Sequence, residues 1–201
     1  MYHDNNSIYS TAHFDEPPVQ AYEHTENGYH NHESYQETNN PRYSGAFSEF
    51  YSLKCHGSKA AIELKPSITR TSEWETVMLE AANAIGPRQF NWSDKTSIQI
   101  TKNELPHVIA VFLGIKEKFE GRSHGPQKNK GFSMIWQTNG NTTNLFVSLT
   151  EGGKPAKGVP ISGMDAMMLG HMSCVQYIRN FPGLTSEACI RSLEIMSRHN
   201  V

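Results

Sequence analysis

The chain has 201 residues, with 18 Lys or Arg against 20 Asp or Glu, and 37% of its residues are hydrophobic. That length allows one domain with its own hydrophobic core. No stretch approaches 18 consecutive apolar residues, so we predict no transmembrane helix and no membrane partner. The three cysteines are odd in number and widely spread, which argues against a disulfide framework and for a reducing compartment. The amino terminus lacks the basic start and apolar run of a secretory signal.

The first 42 residues differ in composition from the rest of the chain. Residues 1–41 contain seven acidic residues and no Lys or Arg, whereas the remainder carries 18 basic and 13 acidic groups. This segment is rich in Asn, His, Tyr, Glu and Ser, and it has too few aliphatic residues to offset the entropy of ordering. We therefore predict a disordered acidic tail at residues 1–42. Its histidines are irregularly spaced and no cysteine accompanies them, so we predict no metal site and no cofactor.

After the tail, short runs alternate between apolar and polar residues, which is typical of strands with one buried face. Such runs cover residues 60–65, 77–81 and 98–100. The period then changes, because the apolar residues from Leu105 to Leu113 fall at helical spacing and Gly114 suits the end of a helix. The first half thus predicts a unit of four strands followed by a helix.

The second half repeats this arrangement. Alternating runs predict further strands at residues 116–122, 132–137 and 145–149. Thr138–Asn141 is a strong turn signal, and another short strand is expected to end near Ile161. The chain therefore predicts an α+β fold of two successive units, each with four strands and a helix.

The predicted second helix runs from Met164 to Phe181 and is followed by a short helix and tail at residues 184–201, with Thr185 or Ser186 as its cap. The long helix has an apolar stripe formed by Met167, Met168, His171, Val175 and Ile178. We interpret its methionines as helix packing rather than as a docking groove. The stripes at Val108/Phe112 and Met168/Val175 are expected to need a partner, which self-association would supply.

Motifs for catalysis are missing from the sequence, which contains no Gly-rich phosphate loop, zinc spacing or nucleophile elbow. Cys55 and His56 are adjacent, but neighbouring residues on a strand point to opposite faces and cannot form the hydrogen bond that a nucleophile needs. We therefore predict that the protein is not an enzyme.

Basic residues are interleaved with aromatic residues in two segments. The first, Arg88 to Lys95, reads RQFNWSDK and lies in a predicted connection, where two exposed rings would be costly without a use. The second segment contains Lys118, Phe119, Arg122 and Lys130. Aromatic rings stack on unpaired bases while cations neutralise phosphates, so both segments suit single-stranded nucleic acid. Alternatively, Phe90 and Trp92 anchor the loop to the core and the lysines form a solvated face.

Two segments, in this order, resemble motifs of the Whirly family of single-stranded DNA-binding proteins. Residues 57–62, GSKAAI, are similar to the family's Lys-Gly-Lys-Ala-Ala-Leu strand opening, and residues 86–95, GPRQFNWSDK, to its Gly-x-Arg-Gln-Tyr-Asp-Trp-Ser-x-Lys segment. The likeness covers about residues 47–183. The chain departs from the family's pattern where His56 or Ser58 stands for the first Lys, and where Phe90 and Asn91 stand for Tyr and Asp.

This resemblance implies two four-stranded antiparallel sheets packed crosswise, each followed by a helix, in a domain that we place at residues 43–183. It further implies a homotetramer held together by helices, with single-stranded DNA bound along the sheets between neighbouring protomers. Carried over by position, nucleic-acid contacts are assigned to Lys59, Arg88, Gln89, Phe90 and Trp92. The remaining predicted contacts come from the basic and aromatic segments and are Lys95, Lys118, Phe119, Arg122 and Lys130.

We therefore expect sequence-tolerant binding of single strands and weak binding of duplex DNA, which hides its base faces. One alternative is an RNA-binding or strand-annealing protein on the same fold, and another is an oligomeric scaffold without nucleic-acid affinity. The acidic tail is hypothesised to compete with nucleic acid for the basic surface. Because the transit peptide of the plant members is missing, we expect a bacterial or plasmid-borne protein of the cytoplasm or nucleoid.

Overall fold

The computed structural model describes residues 52–199, so the predicted tail at residues 1–42 lies outside the described residues. The strands are β1 (Leu53–His56), β2 (Ala60–Ile68), β3 (Glu75–Gly86), β4 (Gln89–Phe90), β5 (Thr96–Gln99), β6 (Lys118–His124), β7 (Lys130–Asn139), β8 (Thr142–Glu151) and β9 (Lys157–Ile161). The helices are α1 (Leu105–Phe112), α2 (Gly163–Ile178) and α3 (Ser186–Arg198), and a 3-10 turn spans Trp92–Asp94.

The strands form two antiparallel sheets, which confirms the predicted α+β fold. The first sheet has the order β1-β2-β3, with both β4 and β5 pairing to β3, and the second has the order β6-β7-β8-β9. Four strands were expected in the first sheet, and the fifth, β4, is only two residues long, too short to produce a periodic pattern. It pairs with the end of β3, where Phe90 lies opposite Ala84.

The predicted turn between the two longest strands of the second sheet is confirmed. Asn139 pairs with Thr142, so only Gly140 and Asn141 connect β7 to β8. Gly140 has a φ of +60°, a left-handed conformation that favours glycine. This tight connection sets the register of all ten residue pairs between the two strands.

Helix α1 begins and ends where the sequence predicts. The Glu104 carboxylate accepts hydrogen bonds from the backbone N–H and the hydroxyl of Thr101, at 3.0 and 2.8 Å, and Gly114 follows the helix with a φ of +72°. The expectation that Val108 and Phe112 need a partner protomer is wrong, because both are fully buried within the chain. Helix α1 contacts α2, α3, β6 and β7, and these elements cover its apolar residues.

Helix α2 packs through a face different from most of the predicted methionine stripe, and its buried residues are Ala166, Leu169, Gly170, Met172, Ser173, Cys174 and Gln176. A Cβ at Gly170 would lie 2.6 Å from Leu113 Cδ2 and 3.2 Å from Phe112 Cβ, so glycine allows α2 to approach the end of α1 closely. Of the methionines interpreted as packing, Met172 is buried, whereas three are exposed by 64%, 39% and 40%, namely Met164, Met167 and Met168. Val175 lies on the same exposed face. The stripe at Met168 and Val175 therefore has no cover within residues 52–199.

Helix α3 begins at the predicted cap, where the Thr185 hydroxyl accepts a hydrogen bond from the Ala188 N–H at 3.2 Å. It buries only Cys189 and Leu193. Within residues 52–199, we find no helix whose length and apolarity would allow it to cross a membrane.

Candidate nucleic-acid interface

The first sheet has one buried face and one face that carries polar and aromatic side chains. Register places Leu64, Leu79 and Ile98 in one row across β2, β3 and β5, and all three are buried in the core. Lys54, Glu63, Glu80 and Ser97 form the adjacent row on the opposite side. Because side chains alternate along each strand, this second side is a continuous face, which we call the outer face of the first sheet.

An aromatic cluster, formed by His56, Phe90 and Trp92, lies at one corner of this outer face. The rings of His56 and Phe90 have centroids 5.3 Å apart, and Lys54 Nζ lies 5.3 Å from the centre of the Trp92 ring. Phe90 and Trp92 are partly exposed, and neither is among the hydrophobic residues packed against the core. The alternative in which they anchor the loop to the core is therefore not supported.

Three other predicted residues lie at the same end of the sheet. Lys59 is exposed in the turn between β1 and β2, and its carbonyl oxygen accepts a hydrogen bond from the Ala84 N–H at 2.9 Å. Since Ala84 also pairs with Phe90, this bond brings the turn close to the aromatic cluster. Arg88 and Gln89 are exposed where β3 turns into β4, and Arg88 adopts a positive φ of 57°.

A buried carboxylate lies in the middle of the outer face. Glu80 is only 4% exposed, and it accepts hydrogen bonds from Lys95 at 2.8 Å, Ser97 at 2.9 Å and Lys65 at 3.1 Å. Burial alone would raise the pKa of Glu80, but the hydrogen bonds from Lys95, Lys65 and Ser97 outweigh it and hold the pKa below its usual range. The predicted contact residue Lys95 is therefore fixed in position and partly neutralised.

The four predicted residues of the second sheet divide between its two faces. Lys118 and Arg122 are exposed on the outer side, where Arg122 Nη2 lies 3.1 Å from Glu120 Oε1. Phe119 lies on the inner side, and its ring stacks on His107 with centroids 4.8 Å apart. Lys130 is paired with Glu151 at 3.6 Å and is largely covered. The sheet therefore separates Phe119 and Lys130 from the other two residues.

Sequence reasoning missed an aromatic residue on the outer face of the second sheet. Phe146 lies in one row with Lys118, Ile135 and Pro160. A Cβ at Gly158 would lie 2.5 Å from Phe146 Cζ, so glycine makes room for the ring on this face. The signal was present in the sequence, because Phe146 occupies an outward position between the buried Leu145 and Val147.

Polar contacts join the aromatic cluster to the second sheet. Lys154, in the β8–β9 connection, donates a hydrogen bond to Asp94 Oδ1 at 2.6 Å, and Asp94 ends the turn that carries Trp92. This hydrogen bond lowers the pKa of Asp94 and raises that of Lys154. The neighbouring Thr96 hydroxyl donates to Glu151 at 2.9 Å and accepts from the buried Lys157 at 2.9 Å.

Comparisons with known proteins identify relatives of this arrangement. A family model described as Whirly transcription factor matches residues 53–161. The structure of WHY3 from Arabidopsis thaliana is similar with a TM-score of 0.51 at 14% identity, covering 76% of this chain and 98% of that chain. WHY1 from Arabidopsis thaliana has a TM-score of 0.51 at 16% identity, covering 64% of this chain and 88% of that chain. At such low identity these two structures show the fold alone. A search of curated proteins finds no match.

Among residues 52–199, no group of three or more His, Cys, Asp or Glu side chains could hold a metal ion. The outer faces bring together rings, cations, hydroxyls and amides, which contact bases and phosphates in nucleic-acid complexes, and carboxylates that pair with several of the cations.

Proposed function

The chain belongs to the Whirly family, as its motifs indicated, and on that premise we propose that it binds single-stranded DNA with little sequence preference. The bound DNA strand would lie along the outer face of the first sheet and continue over the outer face of the second sheet. The observation that carries this proposal is the aromatic cluster, where the His56 and Phe90 rings pack together and Lys54 lies beside the ring of Trp92. Partly exposed rings next to a cation suit a stacked base whose phosphate lies alongside.

The charges of the outer face indicate that binding would not depend on electrostatic attraction alone. Lys65 and Lys95 share Glu80, and Lys54 lies 3.8 Å from Glu63, so much of the positive charge is balanced locally. Stacking would therefore contribute a large share of the affinity, and stacking accepts any base because every base has a π-face. Lys59, Arg88 and Gln89 at the corner, with Lys118 and Arg122 on the second sheet, would contact the backbone.

Self-association is part of the proposal. The exposed face of α2 carries Met164, Met167, Met168 and Val175, and another protomer would cover it. We propose a homotetramer, in which strands run between the sheets of adjacent protomers. Phe119 and Lys130, on the inner side of the second sheet, would then support the binding face from beneath.

The decisive experiment titrates labelled single-stranded DNA, duplex DNA and RNA of one sequence with the full chain at several salt concentrations. Tight binding to single-stranded DNA, weak binding to the duplex and no dependence on base composition are expected. Preference for RNA would shift the function to the RNA-binding or strand-annealing alternative. Failure to bind any of the three nucleic acids would contradict the proposal and favour the alternative of an oligomeric scaffold.

A second measurement tests whether the affinity for single-stranded DNA depends on the proposed surface. Lys59→Ala should weaken single-strand binding, and Lys102→Ala is the matched control because Lys102 is an exposed lysine in the connection before α1. Equal losses in both variants would indicate a nonspecific charge effect and count against the assigned surface.

A further inference from the structure

Two of the three free cysteines in residues 52–199 lie in contact with each other. Cys174 belongs to α2 and Cys189 to α3, and their sulfur atoms are 3.7 Å apart. Both side chains are buried, with residue exposures of 5% and 1%. Nothing in the proposed binding of single strands uses this pair.

We propose that Cys174 and Cys189 form a thiol-oxidation site, which closes to an intramolecular disulfide between α2 and α3 when the protein meets a small disulfide oxidant of the glutathione type. The site is independent of nucleic-acid binding. It would act as a reversible covalent link that fastens the last helix to the helix before it.

The geometry requires only a small movement. A disulfide bond is about 2.05 Å long, so the sulfur atoms would have to approach by roughly 1.7 Å. Each cysteine lies on a helix, and the helices are joined by the short connection 179–185. A slight shift of α3 towards α2 would supply the approach without changing either helix.

An oxidant reaches the pair when α3 opens locally. Of its 13 residues, α3 buries only Cys189 and Leu193, so few apolar contacts hold it against the rest of the chain. Segments with few buried contacts open at a small fraction of the free energy of global unfolding. Cys174 and Cys189 therefore become accessible in a folded protein, although both are covered in the closed state.

The two thiols influence each other's ionisation while α3 is closed. Once Cys174 has lost its proton, the Cys189 S–H donates a hydrogen bond to the thiolate, which lowers the pKa of Cys174 and raises that of Cys189. This hydrogen bond exists only while α2 and α3 are in contact, so either thiol can make the first attack when α3 opens. The remaining cysteine, Cys55, lies on β1, and burial raises its pKa to about 12, so it is the internal control.

The reaction balances in two exchange steps. The thiolate of one cysteine attacks one sulfur of oxidised glutathione, a new S–S bond forms, and one glutathione thiolate leaves. The other cysteine then loses its proton and attacks the protein sulfur of this mixed disulfide, which releases the second glutathione. The protein loses two protons and two electrons, and both are recovered in two molecules of reduced glutathione.

The test equilibrates the full chain in buffers with increasing ratios of oxidised to reduced glutathione, followed by acid quench and peptide mapping by mass spectrometry. Two of the three thiols should disappear together, the chain should lose the mass of two hydrogen atoms, and a peptide linking Cys174 to Cys189 should appear. Cys55 should stay reduced. Reduced glutathione should restore all three thiols.

Variants and exchange rates sharpen the result. Cys55→Ser should still form the link, whereas Cys189→Ser should not, and amide exchange in α3 should slow by about tenfold or more in the oxidised chain. Persistence of three thiols, separate glutathione adducts, or disulfides between chains would each overturn the proposal. Because the link is sought in the unmodified chain, poor folding of a variant would not hide the answer.

Discussion

Trp92 is the residue on which the proposed surface depends most. Its ring is partly exposed on the outer face of the first sheet, with Lys54 Nζ 5.3 Å from the ring centre. It was assigned from a sequence motif, and the tertiary structure adds Lys54 beside its ring and the His56–Phe90 ring pair at the same corner of the sheet. A cluster of this kind lets one base stack while a cation reaches its phosphate.

Trp92→Ala should weaken binding of single-stranded DNA by about 1–3 kcal/mol, because one stacking ring is lost. Trp92→Phe keeps a ring and should retain most of the affinity. Fluorescence anisotropy with a labelled oligonucleotide measures both variants, and circular dichroism checks their fold. If alanine and phenylalanine bind equally, the ring does not stack on a base.

Glu104 shows how a single carboxylate stabilises the start of an element. Its carboxylate accepts hydrogen bonds from Thr101 and lies 2.9 Å from His124 Nε2, so it joins the first turn of α1 to β6. Burial by itself raises the pKa of Glu104, but the hydrogen bonds from His124 and Thr101 outweigh it and lower the pKa below the usual 4.5. Glu104 therefore stabilises the fold above about pH 4.5, and this contribution is lost as the pH falls through the lowered pKa.

Glu104→Gln should lower the free energy of unfolding by about 1 kcal/mol at neutral pH, where the charged acceptor is lost. The difference from the unmodified chain should shrink as the pH falls below about 4.5, since Glu104 itself is then neutral in the unfolded chain and increasingly so in the folded one. Urea unfolding at several pH values measures this difference in the free energy of unfolding. Glu117→Gln is the control, because Glu117 is exposed. If the effect of Glu104→Gln were the same at every pH, the charge of Glu104 would not be its cause.

The turn that carries Trp92 is held by the connection between β8 and β9. Lys154 binds Asp94 at 2.6 Å, so a residue of the second sheet region fixes an element of the first. The sequence contains both residues 60 positions apart, and no local pattern links them. Contacts of this kind decide how rigidly a predicted binding residue is presented.

Lys154→Met and Asp94→Ala should both reduce single-strand affinity by about two- to fivefold, because each loosens the turn beneath Trp92. The two variants together distinguish the positioning of Trp92 from the effect of charge. Asp94→Ala removes a negative charge, so it would strengthen binding if only electrostatic attraction mattered. Anisotropy at one moderate salt concentration is sufficient. Tighter binding by Asp94→Ala would reject the positioning role.

At the scale of the whole molecule, the exposed face of α2 carries four of the seven exposed large hydrophobic residues found in residues 52–199. Met168→Glu should shift the protein to smaller species in size-exclusion chromatography with light scattering, because a charge would be buried at the contact. Ile85→Glu is the control, since Ile85 is a 66% exposed hydrophobic residue on β3 rather than on α2. An unchanged mass for Met168→Glu would place the contact elsewhere.

The acidic tail gives a second prediction for the whole chain. Removal of residues 1–41 takes away seven acidic groups and leaves 18 basic and 13 acidic residues. If the tail competes with nucleic acid, the shortened chain should bind single strands more tightly at low salt, and the two chains should converge as salt screens the charges. Equal affinity at every salt concentration would show that the tail does not compete.

Much of this protein follows from its sequence because local signals agree with one another. Period-two alternation identified most of the strands, the spacing from Leu105 to Leu113 identified α1, and Thr185 marked the start of α3. The motif at residues 86–95 identified the family and the aromatic pair. Each of these signals lies within a short stretch of chain, where backbone geometry links period to structure.

Other features depended on contacts between distant residues. Alternation shows that a strand has two faces, but it does not show which element covers each face. The sequence therefore did not show that Phe119 and Lys130 lie on the inner side and that Phe146 faces outwards. Helical spacing likewise gave α1 and α2 apolar stripes, yet the chain covers that of α1 and leaves the methionines of α2 exposed. Only the packing of sheets and helices selects among such faces, because burial is a property of the assembled molecule.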